Sequence, residues 1–297
     1  SRQIQWFPGH MTKTLRLMEK EIRNVDCVLQ ILDARIPLSS LNPEIERITA
    51  GKPHLYVLNK SDLADPEITR QWLAYFKSAG AGCIAMDSKQ RGRATATKGL
   101  IEKELSALME RRRNRGMVGA AIRVMVVGIP NVGKSTFINQ VAKRKSAKAG
   151  NRPGVTRGRQ WVSVDAGLDL LDTPGILWPK FEDEATGLHL AFTGAVKDEV
   201  MDAETLACRL LELLAARYPN ALEQRYQIPA DLSGQGWELL EACGRKRGFL
   251  ISGGEVDTER AAKMLVGEFR ASKWGRLSLE RPPQRDDMAD FAEEDEE

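Results

Sequence analysis

Residues Gly128–Thr136 read GIPNVGKST, and this stretch decides the fold. It fits the pattern G-x-x-x-x-G-K-[ST], in which the backbone N–H groups of a glycine-rich loop and the start of a helix hold phosphate. The apolar run RVMVV at 123–127 precedes it, and an amphipathic helix is predicted over 134–143. The alternative, a chance glycine-rich turn, does not explain why a strand enters the loop and a helix leaves it. The stretch is therefore predicted to be a P-loop.

The P-loop pattern gives individual side chains expected roles. Lys134 is expected to reach the β- and γ-phosphates of a nucleotide, and the Ser135 hydroxyl is expected to ligate Mg²⁺. The other residues expected to bind the nucleotide here are Asn131, Val132, Gly133 and Thr136.

A second motif, Asn59-Lys60-Ser61-Asp62, follows the predicted strand at 54–58. A carboxylate at this position can accept hydrogen bonds from the ring N–H and the exocyclic amine of guanine. Adenine lacks that pair of donors, so Asp62 would select GTP over ATP, with Asn59 and Lys60 beside it. The alternative is a polar turn that caps the helix predicted over 66–78. Four residues alone are weak support, but together with a P-loop they predict a guanine nucleotide.

A third motif, Asp172-Thr173-Pro174-Gly175, follows the predicted strand at 168–171. The position of Asp172 suits a ligand of the Mg²⁺ ion or of its water. The Gly175 N–H is expected to meet the γ-phosphate and to move when that phosphate leaves, which makes Gly175 a candidate catalytic residue. The alternative is a simple Pro-Gly turn.

Two further residues are candidates for the same site. Thr156 lies in a loop long enough to be a switch, and its hydroxyl could ligate Mg²⁺ in the triphosphate state. The alternative is an ordinary turn threonine. Ser88 follows the predicted strand at 83–86 and would support the base.

The order of elements predicts an α/β fold. Strands predicted at 26–32, 54–58, 83–86, 123–127 and 168–171 alternate with helices at 12–24, 66–78, 97–112 and 134–143. Such alternation favours a mainly parallel sheet with helices on both faces, whose ligand lies at the carboxyl ends of the strands. After about residue 200, helices are predicted at 202–217, 235–246 and 257–273. We expect a nucleotide-binding domain at 1–185, a small all-α domain at 200–283 and a disordered acidic tail at 284–297.

The charge distribution suggests an anionic partner. The net charge is +3, but residues 286–297 hold eight of the 41 acids and no base. Residues 1–285 therefore hold 33 acids and 44 bases, which gives them a net charge of +11. In the helix predicted at 257–273, four bases fall within an arc of roughly 140°, and a second cluster precedes that helix. These candidate RNA contacts are Arg260, Lys263, Arg270 and Lys273, with Arg245, Lys246 and Arg247. The alternative is a solvated basic face.

The motifs occur in an unusual order. In Ras-like GTPases the P-loop comes first and the guanine motif late, whereas here NKSD at 59–62 precedes the P-loop and DTPG comes last. The chain resembles the circularly permuted GTPases of ribosome assembly. The resemblance covers nearly the whole chain to about Pro283 and rests on these motifs together with WFPGHM at 6–11, DARIP at 33–37, PGVT at 153–156, DTPGI at 172–176 and GGEVDTERAA from Gly253.

This resemblance implies a circularly permuted Ras-like P-loop GTPase domain followed by a small helical domain. It implies GTP hydrolysis coupled to late maturation of the large ribosomal subunit, with rRNA contacts from the helical domain. It also gives His10 a catalytic role and makes Asn131 a candidate K⁺ ligand. Because the switch runs directly into the C-terminal segment, we expect its movement to be transmitted to the helical domain.

The motifs supply no side chain of the usual kind for orienting the attacking water, since Ile176 stands where a Ras-like enzyme has its glutamine. Intrinsic turnover is therefore expected to be slow, and His10, K⁺ or the ribosome would have to order the water. A nucleotide-gated scaffold with negligible turnover stays open as an alternative. The four cysteines lack zinc-ligand spacing, and no apolar run is long enough to span a bilayer. We expect a cytoplasmic monomer without a membrane partner.

Overall fold

The structure, a computed structural model, describes residues 9–87, 91–117, 119–142, 160–165, 167–178, 181, 183–229 and 235–284. At 9, 10, 160, 165 and 200 the backbone alone is described.

A six-stranded sheet forms the centre of the first part of the chain. Its strands are β1 Cys27–Asp33, β2 His54–Asn59, β3 Gly82–Ala85, β4 Ile122–Gly128, β5 Gln160–Asp165 and β6 Leu168–Asp172. They lie in the order β3-β2-β1-β4-β6-β5. All neighbours are parallel except β5, which pairs antiparallel with β6 at the edge. The mainly parallel α/β sheet predicted from the sequence is confirmed. The sequence prediction missed β5, whose exposed Ser163 interrupts the apolar run expected of a buried strand.

Helices accompany this sheet, namely α1 Gly9–Glu21, α2 Pro43–Ile48, α3 Pro66–Ser78, α4 Arg93–Glu104, α5 Ser106–Asn114 and α6 Lys134–Val141. Leu58 packs in a cluster with Trp72 of α3, whereas its neighbour Val57 belongs to the larger core. Adjacent strand residues point to opposite faces, so helices cover both faces of the sheet. The single helix predicted over 97–112 is wrong, because the chain leaves helical geometry at Leu105 and forms two helices.

Helices dominate the second part of the chain, with α7 Glu184–Phe192, α8 Ala203–Arg217, α9 Pro219–Tyr226, α10 Gly236–Lys246 and α11 Thr258–Arg270. Leu210, Leu240 and Leu265, one from each of the three longer helices, are fully buried in their common core. The helix predicted over 257–273 ends three residues early, at Arg270. The sequence prediction missed α7, which lies almost entirely between the two domains expected at 1–185 and 200–283. We call residues 183–284 the helical region.

The end of the helical region returns to the sheet. The Leu279 N–H donates to the Arg35 carbonyl over 3.0 Å, and the Trp72 indole N–H donates to the Glu280 carbonyl over 3.2 Å. The helical region is therefore bonded to the loop after β1 and to α3. None of the helices in the ranges given above is long and apolar enough to cross a membrane.

Candidate nucleotide-binding site

The predicted motifs meet at one edge of the sheet. Strand β2 ends at Asn59, β4 ends at Gly128 and β6 ends at Asp172. These strands run parallel within one sheet, so their carboxyl ends share an edge. That edge is where ligands bind in open α/β sheets.

The P-loop turns tightly between β4 and α6. Gly133 has φ +88 and Asn131 has φ +60, so the loop uses left-handed backbone geometry at two positions. Lys134 is the first residue of α6, and Ser135 and Thr136 are exposed on its first turn. The free N–H groups at the start of a helix favour an anion, and this geometry suits a phosphate chain.

The Lys134 ammonium contacts the Asp172 carboxylate. Its Nζ donates to Asp172 Oδ1, and Lys134 is 7% exposed. A cation suited to phosphate and a carboxylate suited to a metal ion are therefore adjacent, although they lie 38 positions apart in the sequence.

The second motif is bonded directly to the P-loop. Asn59 Nδ2 donates to the Val132 carbonyl over 2.9 Å, and Lys60 Nζ donates to the Asn131 carbonyl. Asp62 follows in a short 3-10 turn, Ser61–Leu63. The segment predicted to read the base therefore lies beside the segment predicted to hold the phosphates.

Charged groups surround Asp62. Burial lowers the pKa of Lys60, while the nearby charges of Asp33 and Asp62 act against that shift. Burial also lowers the pKa of Arg93, with Asp87 and Asp62 acting in the opposite direction. Arg93, the first residue of α4, is 4% exposed and was not predicted at the site because no motif includes it.

The DARIP residues form a buried support under this edge. Burial alone would raise the pKa of Asp33, but the charge and hydrogen bonds of Arg35 outweigh it and lower that pKa. The two side chains pair over 2.8 Å, and the Arg35 guanidinium lies 5.7 Å from the ring centroid of Phe269 in α11. This pair joins the end of β1 to the helical region.

The segment after Asp172 packs against the P-loop. A Cβ added to Gly175 would lie 3.0 Å from Pro130 Cα, which shows how closely the two backbones approach. The Ile176 N–H donates to the Gly128 carbonyl over 3.2 Å, and its carbonyl accepts from Asn42 Nδ2 over 3.3 Å. Ile176 is fully buried, so its side chain belongs to the core.

The end of α7 and the turn that follows it link the P-loop to α11. Asn131 Nδ2 donates to the Gly194 carbonyl over 2.8 Å. Arg270 Nη2 donates to the Ala191 carbonyl over 2.8 Å, and the same guanidinium pairs with Asp198 over 2.8 Å. Motif searching could not find this link, since it depends on backbone carbonyls.

The predicted RNA face is partly occupied by contacts within the protein. Arg270 is engaged as described above, and Arg247 pairs with Glu268 over 3.2 Å. Lys263 forms an exposed pair with Glu259 over 3.0 Å. The predicted residues that are exposed are Arg245, Lys246, Arg247, Arg260, Lys263 and Lys273.

Three predicted site residues cannot be placed in this geometry. Ser88 and Thr156 lie outside the described residues. His10 lies in the first turn of α1, where the backbone alone is described.

The residues at this edge suit Mg²⁺. Asp172 offers a carboxylate and Ser135 a hydroxyl, and hard oxygen donors are what this ion prefers. In the described ranges there is no group of three or more His, Cys, Asp or Glu side chains that could hold a metal ion. A Mg²⁺ site here would therefore need oxygen ligands from the phosphates as well, as is usual for this ion.

Gly133→Ala is expected to weaken nucleotide binding about tenfold or more. The left-handed backbone alone costs a side chain about 1–2 kcal/mol, and the new Cβ would lie 2.6 Å from Asn59 Nδ2. Binding of a fluorescent GDP analogue measures the effect. Gly80→Ala is the matched control, because Gly80 has φ +76 and nothing within 4 Å of the added Cβ. Equal affinities in the two variants would contradict the close contact between P-loop and guanine motif.

The fold and this edge define a class: P-loop GTPases with circularly permuted motifs. Residues 123–219 match the family model described as a 50S ribosome-binding GTPase. The chain is 43% identical to ribosome biogenesis GTPase A of Bacillus cereus, over 99% of both chains. It is 32% identical to the protein of that name from Thermotoga maritima, over 94% of this chain and 95% of the relative.

Solved structures show the same likeness. The GDP-bound structure of TM YlqF matches with a TM-score of 0.64 and 30% identity, over 90% of this chain and 99% of the other. The GNP-bound structure of YlqF from T. maritima matches with a TM-score of 0.61 and 29% identity, over 92% and 99%. The chain belongs to the ribosome biogenesis GTPase A family.

Proposed function

We propose that this chain binds the precursor of the large ribosomal subunit and couples Mg²⁺-dependent GTP hydrolysis to a late assembly step and to its own release. The observation that carries the proposal is a set of hydrogen bonds that joins the motifs to one another at one edge of the sheet. Asn59 and Lys60 contact the P-loop, Lys134 contacts Asp172, and Asn131 contacts the helical region. Family membership supports the ribosomal partner, since relatives are described as ribosome biogenesis or ribosome-binding GTPases.

The phosphates, the base and the metal ion each have proposed partners. The P-loop N–H groups, the start of α6 and Lys134 bind the phosphates, while Asp62 accepts from the guanine ring with Ser88 supporting the base. Ser135, Thr156 and Asp172 would hold Mg²⁺, which when bound neutralises charge on the β- and γ-phosphates. Asn131 offers an amide oxygen that could ligate K⁺.

Hydrolysis is proposed to be slow without the ribosome. Ile176 has no hydrogen-bonding side-chain group and is fully buried, so it cannot orient the attacking water. His10 and K⁺ remain the proposed sources of water positioning and fixed positive charge. The Gly175 N–H would contact the γ-phosphate beside the P-loop.

His10→Ala is expected to keep GTP affinity and to lose most of the turnover stimulated by large subunits, because the P-loop and Asp62 are unchanged. Phosphate release with purified large subunits measures turnover, and equilibrium binding measures affinity. His54→Ala is the matched control, since His54 lies on β2 and bonds Thr49 over 2.7 Å. Full stimulated turnover in His10→Ala would rule out this role.

The nucleotide state is proposed to reach the helical region through two connections. The first is the segment after Asp172, which packs on the P-loop and leads into α7. The second is Asn131, whose amide binds the turn just after α7, while Arg270 of α11 binds the last residues of α7. A movement of the switch segment or of the P-loop would therefore displace the end of α7 and the turn after it, and α11 is bonded to that end of α7 through Arg270.

The exposed cations of the helical region are proposed to contact rRNA. Arg245, Lys246 and Lys273 are exposed and near the ends of α10 and α11. Exposed bases of this kind bind phosphate through counterion release. Arg270 is removed from the predicted contact set, since its guanidinium already binds Asp198 and two backbone carbonyls.

A variant with Arg245, Lys246 and Lys273 all changed to alanine is expected to bind large subunits more weakly and with a smaller salt dependence. Each lost phosphate contact should lower the slope of log affinity against log salt by about one. Binding at several KCl concentrations measures the slope. Three exposed bases near the sheet, Arg70, Lys77 and Lys103, give the matched alanine control. An unchanged slope would contradict the RNA contacts.

Sedimentation with purified large subunits tests the proposed function. The chain should pellet with subunits when loaded with a non-hydrolysable GTP analogue and should remain in the supernatant with GDP. Equal pelleting in both states would contradict nucleotide-dependent release. The same proposal takes the protein to be cytoplasmic and monomeric.

A nucleotide-gated rRNA-binding scaffold with negligible turnover is the second candidate. The burial of Ile176 favours it, because nothing polar in that position can activate water. It predicts the same sedimentation behaviour but no stimulated phosphate release.

A further inference from the structure

We propose that Arg276, which follows α11, is a positioning residue for guanine recognition. Its side chain fixes the backbone turn that carries Asp62, although 214 positions separate the two residues. The inference deepens the proposed function, because it rests on Asp62 reading the base.

The guanidinium of Arg276 binds both ends of this turn. Nη2 donates to the Ser61 carbonyl over 2.7 Å, and Nε donates to the Ala64 carbonyl over 2.9 Å. These carbonyls stand on either side of Asp62 and Leu63. The planar guanidinium holds its donors in a fixed relation, so two such bonds fix the distance and orientation between the carbonyls.

The residues that follow continue the contact along the same turn. The Leu277 N–H donates to the Leu63 carbonyl over 3.2 Å. The Asp65 N–H donates to Ser278 Oγ over 3.0 Å. Residues 276–278 therefore cover the turn from Ser61 to Asp65 on one side.

The other side of the turn is attached to the sheet. The Ser61 N–H donates to the Met86 carbonyl over 2.9 Å, just after β3 ends. The turn that carries Asp62 is consequently held between the sheet and the helical region. The sheet holds the turn only through the Ser61 N–H, whereas Arg276 holds both carbonyls that bracket Asp62.

The contacts of Arg276 should affect recognition of the base more than binding of the phosphates. A carboxylate discriminates guanine from related purines through hydrogen bonds whose strength falls quickly with poor alignment. The phosphates are bound by a separate loop, which Arg276 does not touch in these contacts. Loss of Arg276 should therefore reduce discrimination between bases more than general affinity for triphosphates.

Binding of GTP and ITP to the full chain and to Arg276→Ala tests the proposal. Hypoxanthine lacks the exocyclic amine of guanine, so the ratio of the two affinities reports how well Asp62 is placed. The ratio is expected to fall about fivefold or more in Arg276→Ala, a loss of about 1 kcal/mol of discrimination. Arg70→Ala is the matched control, an exposed arginine of α3 paired with Glu67.

The outcomes separate the two proposals. A ratio unchanged from the wild type in Arg276→Ala would overturn the positioning role, even if both affinities fell together. A wild-type chain with no preference for GTP over ITP would overturn guanine reading itself. If Arg276→Ala does not fold, Arg276→Gln serves instead, because its amide can reach one carbonyl but cannot span both. The same fall in ratio is expected there, and an unchanged ratio counts against the proposal.

Discussion

Lys134→Ala is expected to lower GTP affinity about 100-fold or more and to abolish measurable GTP hydrolysis. Truncating one member of a buried, hydrogen-bonded charge pair costs about 2–5 kcal/mol, and every 1.4 kcal/mol is about a factor of ten. Lys134 is 7% exposed and contacts Asp172, so a cation from solvent cannot easily take its place. Without it, the carboxylate of Asp172 would repel the phosphates.

Calorimetric binding of GTP and phosphate release measure these two effects. Lys77→Ala is the control, since Lys77 is exposed in the last turn of α3. Circular dichroism should show both variants folded. A Lys134→Ala protein that binds GTP within threefold of the wild type would show that this P-loop does not hold the phosphates.

Asp62→Asn is expected to change the preferred base from guanine to xanthine. Without the carboxylate, guanine would lose two charge-assisted hydrogen bonds, each worth about 1.5–3 kcal/mol. GTP affinity should therefore fall about 100-fold or more. Xanthine carries a carbonyl where guanine has its amine, and the asparagine amide can donate to that carbonyl. XTP affinity should therefore rise in the variant.

Competition between GTP, XTP and ATP for the bound fluorescent nucleotide measures the exchange. Glu67→Gln is the matched control, an exposed acid in the first turn of α3. A variant that still prefers GTP would show that another group reads the base. A variant that loses GTP and XTP binding equally would indicate a damaged loop instead.

The sequence predicted those parts of the site that adjoin strand ends. Asn59, Gly128 and Asp172 each end a strand of one sheet, so a parallel arrangement is enough to bring their motifs together. The P-loop pattern further predicts a helix at Lys134, and α6 begins there. Local pattern and topology therefore agree at this edge.

The sequence could not predict contacts between distant backbone groups. Arg276 binds the Ser61 carbonyl across 215 positions, and Asn131 binds the Gly194 carbonyl across 63. Carbonyl groups are the same in every residue, so no side-chain pattern marks them. Only the packing of the helical region against the sheet brings them together.

Helical periodicity also could not show that Arg270 has partners within the protein. Arg270 falls on the basic arc of α11, but the last two residues of α7, Ala191 and Phe192, lie beside the end of that helix and bind the guanidinium through their carbonyls. Periodicity gives the direction of a side chain from its own helix. It does not say which neighbouring segment occupies that direction.

Phosphate release by the full chain, with and without purified large ribosomal subunits in K⁺ or Na⁺ buffer, tests the central claim most directly. The account predicts slow turnover alone, a clear increase with subunits, and a greater increase in K⁺. Lys134→Ala should abolish all of it. Absence of stimulated release by correctly folded protein would contradict a ribosome-coupled GTPase and favour the scaffold.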